Sequence, residues 1–122
     1  VCGAHLEGLP LNGQLVSRGA RLVERTTSSP HYRLYALAGG PPERPGMVRV
    51  ADGGCRIEVE VWELPGAEVG SFLAGIPAPL GLGKVELADG RRETGFICEP
   101  CGLDGATDIS AFGGWRAYLA SR

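Results

Sequence analysis

The chain has 122 residues, of which 43% are hydrophobic and 21% charged, as in one ordinary globular domain, and this composition excludes a disordered segment. Its 12 basic and 14 acidic residues give a formal net charge of −2, which argues against nucleic acid as a partner because no basic stripe is available to neutralise phosphates. No apolar run approaches the ~18–20 residues of a membrane span, so we expect no membrane partner. The length of the chain predicts a single domain over all of it.

The first half of the chain predicts short strands joined by tight turns, in keeping with its share of the 20 glycines and 9 prolines. The predicted elements are a strand over residues 1–6, a helical turn over 14–18, and strands over 20–26, 32–37 and 47–50. The last two strands must be separated by a loop at residues 39–46, because its three prolines have no N–H to donate to a ladder.

The second half predicts further strands and two helices. These elements are a strand over residues 56–64, a helix over 67–76, a strand hairpin over 84–87 and 93–98, and a final helix over 113–120. Alternation in the predicted strand over residues 56–64 places Ile57, Val59 and Val61 on one face and Glu58, Glu60 and Trp62 on the other. The elements together predict an α+β fold, a small, mostly antiparallel β-barrel with flanking short helices.

The four cysteines could form two disulfides or one metal site. Cys98 and Cys101 form a C-x-x-C, and Cys2 and His5 have the same spacing, so a zinc site with three cysteines and one histidine can be written. Zinc ligand pairs usually lie on knuckle turns, however, whereas Cys2 and His5 fall in a predicted strand. Free thiols in a reducing, cytoplasmic compartment and no metal are therefore the favoured interpretation.

His5 is the more promising of the two histidines. It ends an apolar segment at the point where a predicted strand opens into a loop, and functional side chains concentrate at such points. A structural histidine remains the alternative, and His31 is expected to be a solvated loop residue. Glu58 and Glu60 lie ~7 Å apart on one strand face, a spacing that suits either an acid/base pair or a solvated surface.

Three arginines, Arg33, Arg44 and Arg49, are candidates to hold a carboxylate, because a guanidinium binds carboxylates in a bidentate manner. The sequence alone does not show which of the three arginines holds the carboxylate.

Several segments, in order along essentially the whole chain, resemble one family. They are Gly3-Ala4-His5-Leu6, Leu9-Pro10-Leu11-Asn12, Tyr32-Arg33-Leu34-Tyr35-Ala36-Leu37, Pro42 with Arg44-Pro45-Gly46, residues 57–64, Pro79-Leu80-Gly81-Leu82-Gly83 with Val85-Glu86-Leu87, and Asp108-Ile109 with residues 112–118. The chain resembles the C-terminal domain of allophanate hydrolase, a domain whose fold is similar to that of the γ-glutamylcyclotransferases.

This resemblance implies a place in urea degradation. In the family, an amidase domain that this chain lacks removes ammonia from allophanate and leaves N-carboxycarbamate, and the C-terminal domain is implicated in decarboxylating that anion through a histidine. The Gly-Ala-His-Leu segment maps this histidine onto His5. We expect a small anionic substrate, no cofactor and the amidase domain as partner, and a homodimer of the full enzyme is left open. The start at Val1 suggests a domain excised from a longer enzyme or a separate partner chain.

Substrate contacts are expected around His5. Its neighbours Gly3, Ala4 and Leu6 belong to the same motif, and the side chains of Asn12 and Gln14 lie in the following loop. Arg33 is the first choice to hold the anion. Tyr35 shares its strand face and could donate a further hydrogen bond. Removal of Arg33 is expected to raise the substrate requirement sharply.

Two other functions stay open at this point. A non-catalytic module that assembles or oligomerises the amidase domain is possible, since N-carboxycarbamate also decomposes unaided. A γ-glutamylcyclotransferase-like activity is disfavoured, because residues 76–81, where that fold carries its acidic residue, contain no carboxylate. A catalytic domain should show His5 lining a small pocket with a cation, and a scaffold should show His5 buried without a cavity.

Overall fold

Seven short strands and three short helices follow one another along residues 1–122, all of which the computed structural model describes. The helices are Gly13–Val16 (α1), Val69–Ala74 (α2) and Trp115–Ala120 (α3). The strands are Arg21–Thr27 (β1), Tyr32–Ala36 (β2), Pro45–Arg49 (β3), Glu58–Glu63 (β4), Leu80–Glu86 (β5), Arg92–Cys98 (β6) and Thr107–Asp108 (β7). No helix is long and apolar enough to cross a membrane.

The strands form three small antiparallel sheets, with orders β1-β4, β3-β2-β7 and β5-β6. The predicted α+β class with antiparallel strands is therefore confirmed, but the strands do not close into one barrel. The sheets are joined by isolated bridges, Ser28 with Leu87 and Tyr32 with Cys55. Proline-rich segments precede β3 and β5 and lack the N–H groups that would extend a ladder. The likeness to γ-glutamylcyclotransferases stays a prediction.

The hairpin of β5 and β6 begins earlier than its predicted position. Residues 80–83, which come before the predicted start of the hairpin at residue 84, pair with β6 as far as Cys98. Two glycines make this possible, because the sheet packs tightly at both: a Cβ at Gly83 would lie 2.7 Å from Ile97 Cδ1, and one at Gly95 would lie 2.9 Å from Val85 Cγ2. Because glycine has no side chain, β5 and β6 can pair closely at these two positions, and the glycines lie within the strands instead of ending them.

The prediction of a strand over residues 1–6 is wrong. After Val1 the chain makes consecutive turns, with the Leu6 N–H donating to the Gly3 carbonyl at 2.9 Å and the Leu11 N–H to the Ala4 carbonyl at 2.9 Å. Gly3 packs so closely on Pro45 that a Cβ would lie 2.5 Å from its Cδ. The turns carry His5 and Leu6 into the interior rather than along a sheet edge.

Strand β4 is covered on both faces, contrary to the alternation predicted for it. Ile57 and Val59 face the core as expected, but Glu60 is also buried. The start of α3 lies directly against this strand, where a Cβ at Gly114 would be 2.8 Å from Glu58 Cβ. The interpretation of Glu58 and Glu60 as one solvated face is therefore wrong for Glu60.

The buried Glu60 carboxylate is fully paired. It accepts hydrogen bonds from the Glu7 N–H at 2.8 Å, from Trp62 Nε1 at 3.0 Å and from Arg116 Nη2 at 2.9 Å. The other guanidinium nitrogen of Arg116 donates to Glu58 Oε1 at 3.0 Å. This network fastens α3 and the N-terminal turns to β4, and it accounts for Glu60 without any catalytic role.

Candidate active site

A cavity of about 170 Å³ lies where the N-terminal turns meet β6, the proline-rich loop before β3 and the end of α2. Its lining includes Gly3, Ala4, His5, Gln14, Arg44 and Phe96. Of the residues expected to form the site, the structure thus brings together the catalytic candidate and three of its substrate-contact candidates. His5 is a lining residue of a cavity, as the catalytic interpretation requires.

Hydrogen bonds on two sides hold His5 in place. Its Nε2 lies 2.8 Å from Gln14 Oε1, and because an amide oxygen only accepts, Nε2 carries the hydrogen of the neutral ring. Asn12 Nδ2 donates to the His5 carbonyl at 2.9 Å from a buried position behind the ring. The second ring nitrogen, Nδ1, makes no hydrogen bond in the structure and keeps its lone pair available to a ligand.

Two aromatic rings enclose the imidazole. Phe72 on α2 meets it edge to face, with ring centroids 5.2 Å apart, and Phe96 on β6 lies 5.6 Å away. His5 is consequently only 8% exposed. Burial lowers the pKa of His5 below its ordinary value of 6.5, although the hydrogen bond with Gln14 acts in the opposite direction. The imidazole is therefore neutral at pH 7 while the cavity holds no anion.

Arg18 links the two helices beside this site. Its guanidinium donates to the Gln14 carbonyl at 2.9 Å and to Ser71 Oγ at 3.0 Å, and its Cζ lies 5.8 Å from the centroid of the Phe72 ring. The same side chain thereby fixes α1, which carries the partner of His5, and α2, which carries its aromatic neighbour.

Arg44 is the cation of the cavity. It forms no ion pair, and the only hydrogen bond of its side chain is a long one, 3.4 Å, to the Ala78 carbonyl. No carboxylate lines the cavity. A guanidinium without an ion pair and a neutral imidazole that line the same cavity favour a small anion.

The other expected contact residues lie elsewhere. Leu6 is fully buried in the core, and Asn12 supports the main chain of His5 without lining the cavity. Arg33 pairs with Asp108 Oδ2 at 2.7 Å and with the Gly53 carbonyl, and Tyr35 shares its strand face away from the cavity. The expectation that Arg33 and Tyr35 stand beside His5 is thus corrected, because β2 presents them to the outer side of its sheet.

The remaining candidates make structural contacts. Arg49 pairs with Glu86 at 3.5 Å, as does His31 at 3.1 Å. All four cysteines are free thiols, and no three His, Cys, Asp or Glu side chains meet in a group that could hold a metal ion. Phe72 and Phe96, whose rings enclose the imidazole, were not among the residues expected at the site, because a phenylalanine in an apolar stretch gives no sign of which residue its ring will contact.

The fold and the cavity together define a class, a small antiparallel α+β domain that presents an imidazole and an unpaired guanidinium to a small-molecule cavity. The chain belongs to the allophanate hydrolase C-terminal domain family, whose family model matches residues 1–120. The resemblance drawn from the sequence segments is thereby confirmed.

The relatives are mostly much longer proteins. The chain is 45% identical over 123 residues to a urea amidolyase of Saccharomyces cerevisiae and 42% identical to one of Lachancea kluyveri, covering 98% of this chain but only 7% of each relative. Among solved structures, an allophanate hydrolase of Kluyveromyces lactis superposes with a TM-score of 0.95 at 43% identity, over 98% of this chain and 20% of that one. The protein c4763, described as specific to uropathogenic E. coli, has a TM-score of 0.90 at 35% identity, over 98% of this chain and 91% of its own.

Replacing Gln14 tests the hydrogen bond that orients His5. In Gln14→Glu a carboxylate takes the place of the amide 2.8 Å from Nε2, and we expect the pKa of His5 to rise because the charged ring gains an opposite charge. In Gln14→Leu the acceptor is lost, and the pKa should fall further. An NMR titration of the His5 ring proton measures both, with the ring of His31 as internal reference. Equal titration curves in the two variants would show that Gln14 does not contact the ring in solution.

Proposed function

We propose that this domain decarboxylates N-carboxycarbamate, the intermediate of allophanate hydrolysis in urea degradation, with His5 as general acid/base. The observation that carries the proposal is that His5 and the unpaired Arg44 line the same cavity of about 170 Å³, beside the small residues Gly3 and Ala4. Such a cavity suits a compact anion with two carboxylates on one nitrogen. The family and the relatives' names support a place in the breakdown of allophanate, and the cavity contains the groups that would act on the intermediate.

The chemistry needs one proton at the nitrogen. N-carboxycarbamate carries a carboxylate on each side of its N–H. When the nitrogen takes a proton from the His5 ring, one C–N bond breaks, its electron pair stays on nitrogen, and the products are CO₂ and carbamate. Arg44 would hold the carboxylate that remains. The dianion also brings opposite charge to the buried ring, which raises the pKa of His5 and favours the protonated form that the step requires.

The second candidate function is a non-catalytic assembly module for the amidase domain. It is favoured by several large apolar side chains that remain exposed, among them Val69 on α2 at 37% and Leu82 on β5 at 41%. Apolar exposure of this kind is common at protein interfaces. The two functions are compatible in one chain, but they predict different results for the isolated domain.

CO₂ release discriminates between them. An amidase domain generates the intermediate from allophanate, and the rate at which CO₂ appears is followed with and without this chain. Acceleration by catalytic amounts of the chain is the expected result. No acceleration, together with tight binding of the chain to the amidase domain, would replace the proposal with the assembly function.

Arginine variants test which cation holds the substrate. Arg44→Ala should raise KM about 10- to 100-fold, the loss expected for a hydrogen bond to a charged group. Arg33→Ala removes the same side chain from a surface pair with Asp108 and serves as the matched control. Steady-state kinetics of CO₂ release measures both. A large effect of Arg33→Ala with none of Arg44→Ala would restore Arg33 as the substrate clamp.

A further inference from the structure

A second and larger cavity, of about 300 Å³, lies between β4, α2 and the β5-β6 hairpin. Fifteen of its nineteen lining residues are hydrophobic, among them Met47, Val61, Leu73 and Val85. A lining of this kind favours small apolar molecules over ions. The fold therefore contains a compartment whose chemistry is opposite to that of the His5 cavity.

The two cavities share one wall. Cys2 and Phe96 line both of them, and Phe72 lines the larger one. The rings of Phe72 and Phe96 lie 5.9 Å apart and both contact the imidazole of His5. A single aromatic layer thus separates the proton-donating group from the apolar compartment.

The lining also excludes an anion as occupant. No lysine or arginine lines the larger cavity. Of its two carboxylates, Glu60 is paired with Arg116 at 2.9 Å, and Glu93 stands near the start of strand β6. The substrate and the carbamate product are anions and would not leave Arg44 for this compartment. A neutral apolar molecule, in contrast, would transfer into the larger cavity.

We propose that the larger cavity receives CO₂ as it leaves the His5 site, an inference that rests on the proposed decarboxylation. CO₂ has no net charge and no dipole, so among the reacting species it alone gains by transfer into an apolar space. Its passage behind the aromatic layer separates it from the carbamate nitrogen with which it could recombine. The polar cavity then holds the anions, and the apolar cavity holds the gas.

Infrared spectroscopy of the chain under ¹³CO₂ tests this assignment. The antisymmetric stretch of CO₂ in an apolar cavity differs in frequency and width from that of CO₂ in water, so a second band should appear with the wild-type protein. Val61→Phe fills the larger cavity and leaves the His5 cavity unchanged, since Val61 lines only the former. Val23→Phe is the matched control on the neighbouring strand, because Val23 is 51% exposed and lines neither cavity.

We expect the second band in the wild-type and Val23→Phe proteins, its loss in Val61→Phe, and a severalfold slower turnover in Val61→Phe alone. If Val61→Phe does not fold, as judged by circular dichroism, Leu73→Phe fills the same cavity from α2.

A wild-type spectrum with only the dissolved band overturns the inference, and acceleration of CO₂ release would then leave the proposed function standing. A second band that persists in both filled variants places the gas elsewhere and also overturns it. A second band that disappears in the filled variants, in a chain that does not accelerate release, removes the decarboxylase function and with it the role of the cavity in product release.

Discussion

Replacing His5 by glutamine should remove most of the acceleration of CO₂ release, a loss of about 10²- to 10⁴-fold, as expected when a general acid is removed. Glutamine keeps a side chain of similar length that can hydrogen-bond to Gln14, but it cannot deliver a proton. His31→Gln is the matched control, because His31 lies in an exposed pair with Glu86. Full acceleration by His5→Gln would show that the imidazole is structural and would favour the assembly function.

The pH dependence of the wild-type chain provides a second readout for the same residue. Burial lowers the pKa of His5 in the unoccupied site, and the protonated ring is the active form. The value of kcat/KM, which reports the free enzyme, should therefore fall as pH rises through a value below 6.5. That limb should be missing in His5→Gln. A profile that rises over the same range would mean that the neutral ring is the active form.

Glu60→Ala is expected to have the largest effect on folding. The side chain of Glu60 is fully buried and pairs with Arg116, which is itself about two-thirds buried. Its removal leaves the Trp62 and Glu7 N–H groups and a partly buried guanidinium without their acceptor. Loss of one partner of a buried pair costs about 3–5 kcal/mol, and we expect about 3 kcal/mol in the free energy of unfolding because Arg116 keeps Glu58.

Urea unfolding of Glu60→Ala and Glu63→Ala measures this effect. Glu63 lies on the same strand and pairs with Arg21 at the surface, where both side chains are mostly exposed. An exposed pair contributes about 0–1 kcal/mol, so Glu63→Ala should be nearly neutral. Equal free energies of unfolding for the two variants would contradict the network described around β4.

The same carboxylate makes stability depend on pH in a defined direction. Burial alone would raise the pKa of Glu60, but hydrogen bonds from Glu7, Trp62 and Arg116 outweigh burial and lower it below 4.5. Its contribution is therefore complete above pH 4.5 and is lost as pH falls through the lowered pKa. Wild-type chain should lose this stability in acid, and Glu60→Ala should lose correspondingly less.

Strand positions were largely predictable, and the N-terminal turns were not. The alternation of residues 32–36 reflects burial on one face, which sequence patterns record directly, whereas residues 58–63 form a strand that is covered on both faces. The turns around His5 depend instead on Gly3 packing against Pro45, a contact between segments that are distant along the chain. Glycine in an apolar run gives no sign of which segment it will approach.

The choice of cation shows the same limit at the candidate site. Arg33, Arg44 and Arg49 are equivalent as sequence candidates, and strand parity favoured Arg33 because Tyr35 shares its face. The structure separates them by their partners, since Arg33 and Arg49 are paired with acids and Arg44 is not. Whether an arginine is neutralised depends on residues such as Asp108, far away in the sequence, and local pattern carries no information about that.

The contact between Arg116 and the N-terminal turns has a consequence for biosynthesis. The guanidinium donates to the Glu7 carbonyl at 2.7 Å, across 109 positions of the chain, and Trp115 beside it is buried in the core. A ribosome delivers Glu7 before α3, so the turns that carry His5 cannot be locked in place until α3 has been made. The domain consequently completes its fold after α3 has left the exit tunnel, and premature termination before Trp115 would yield a chain without a finished site.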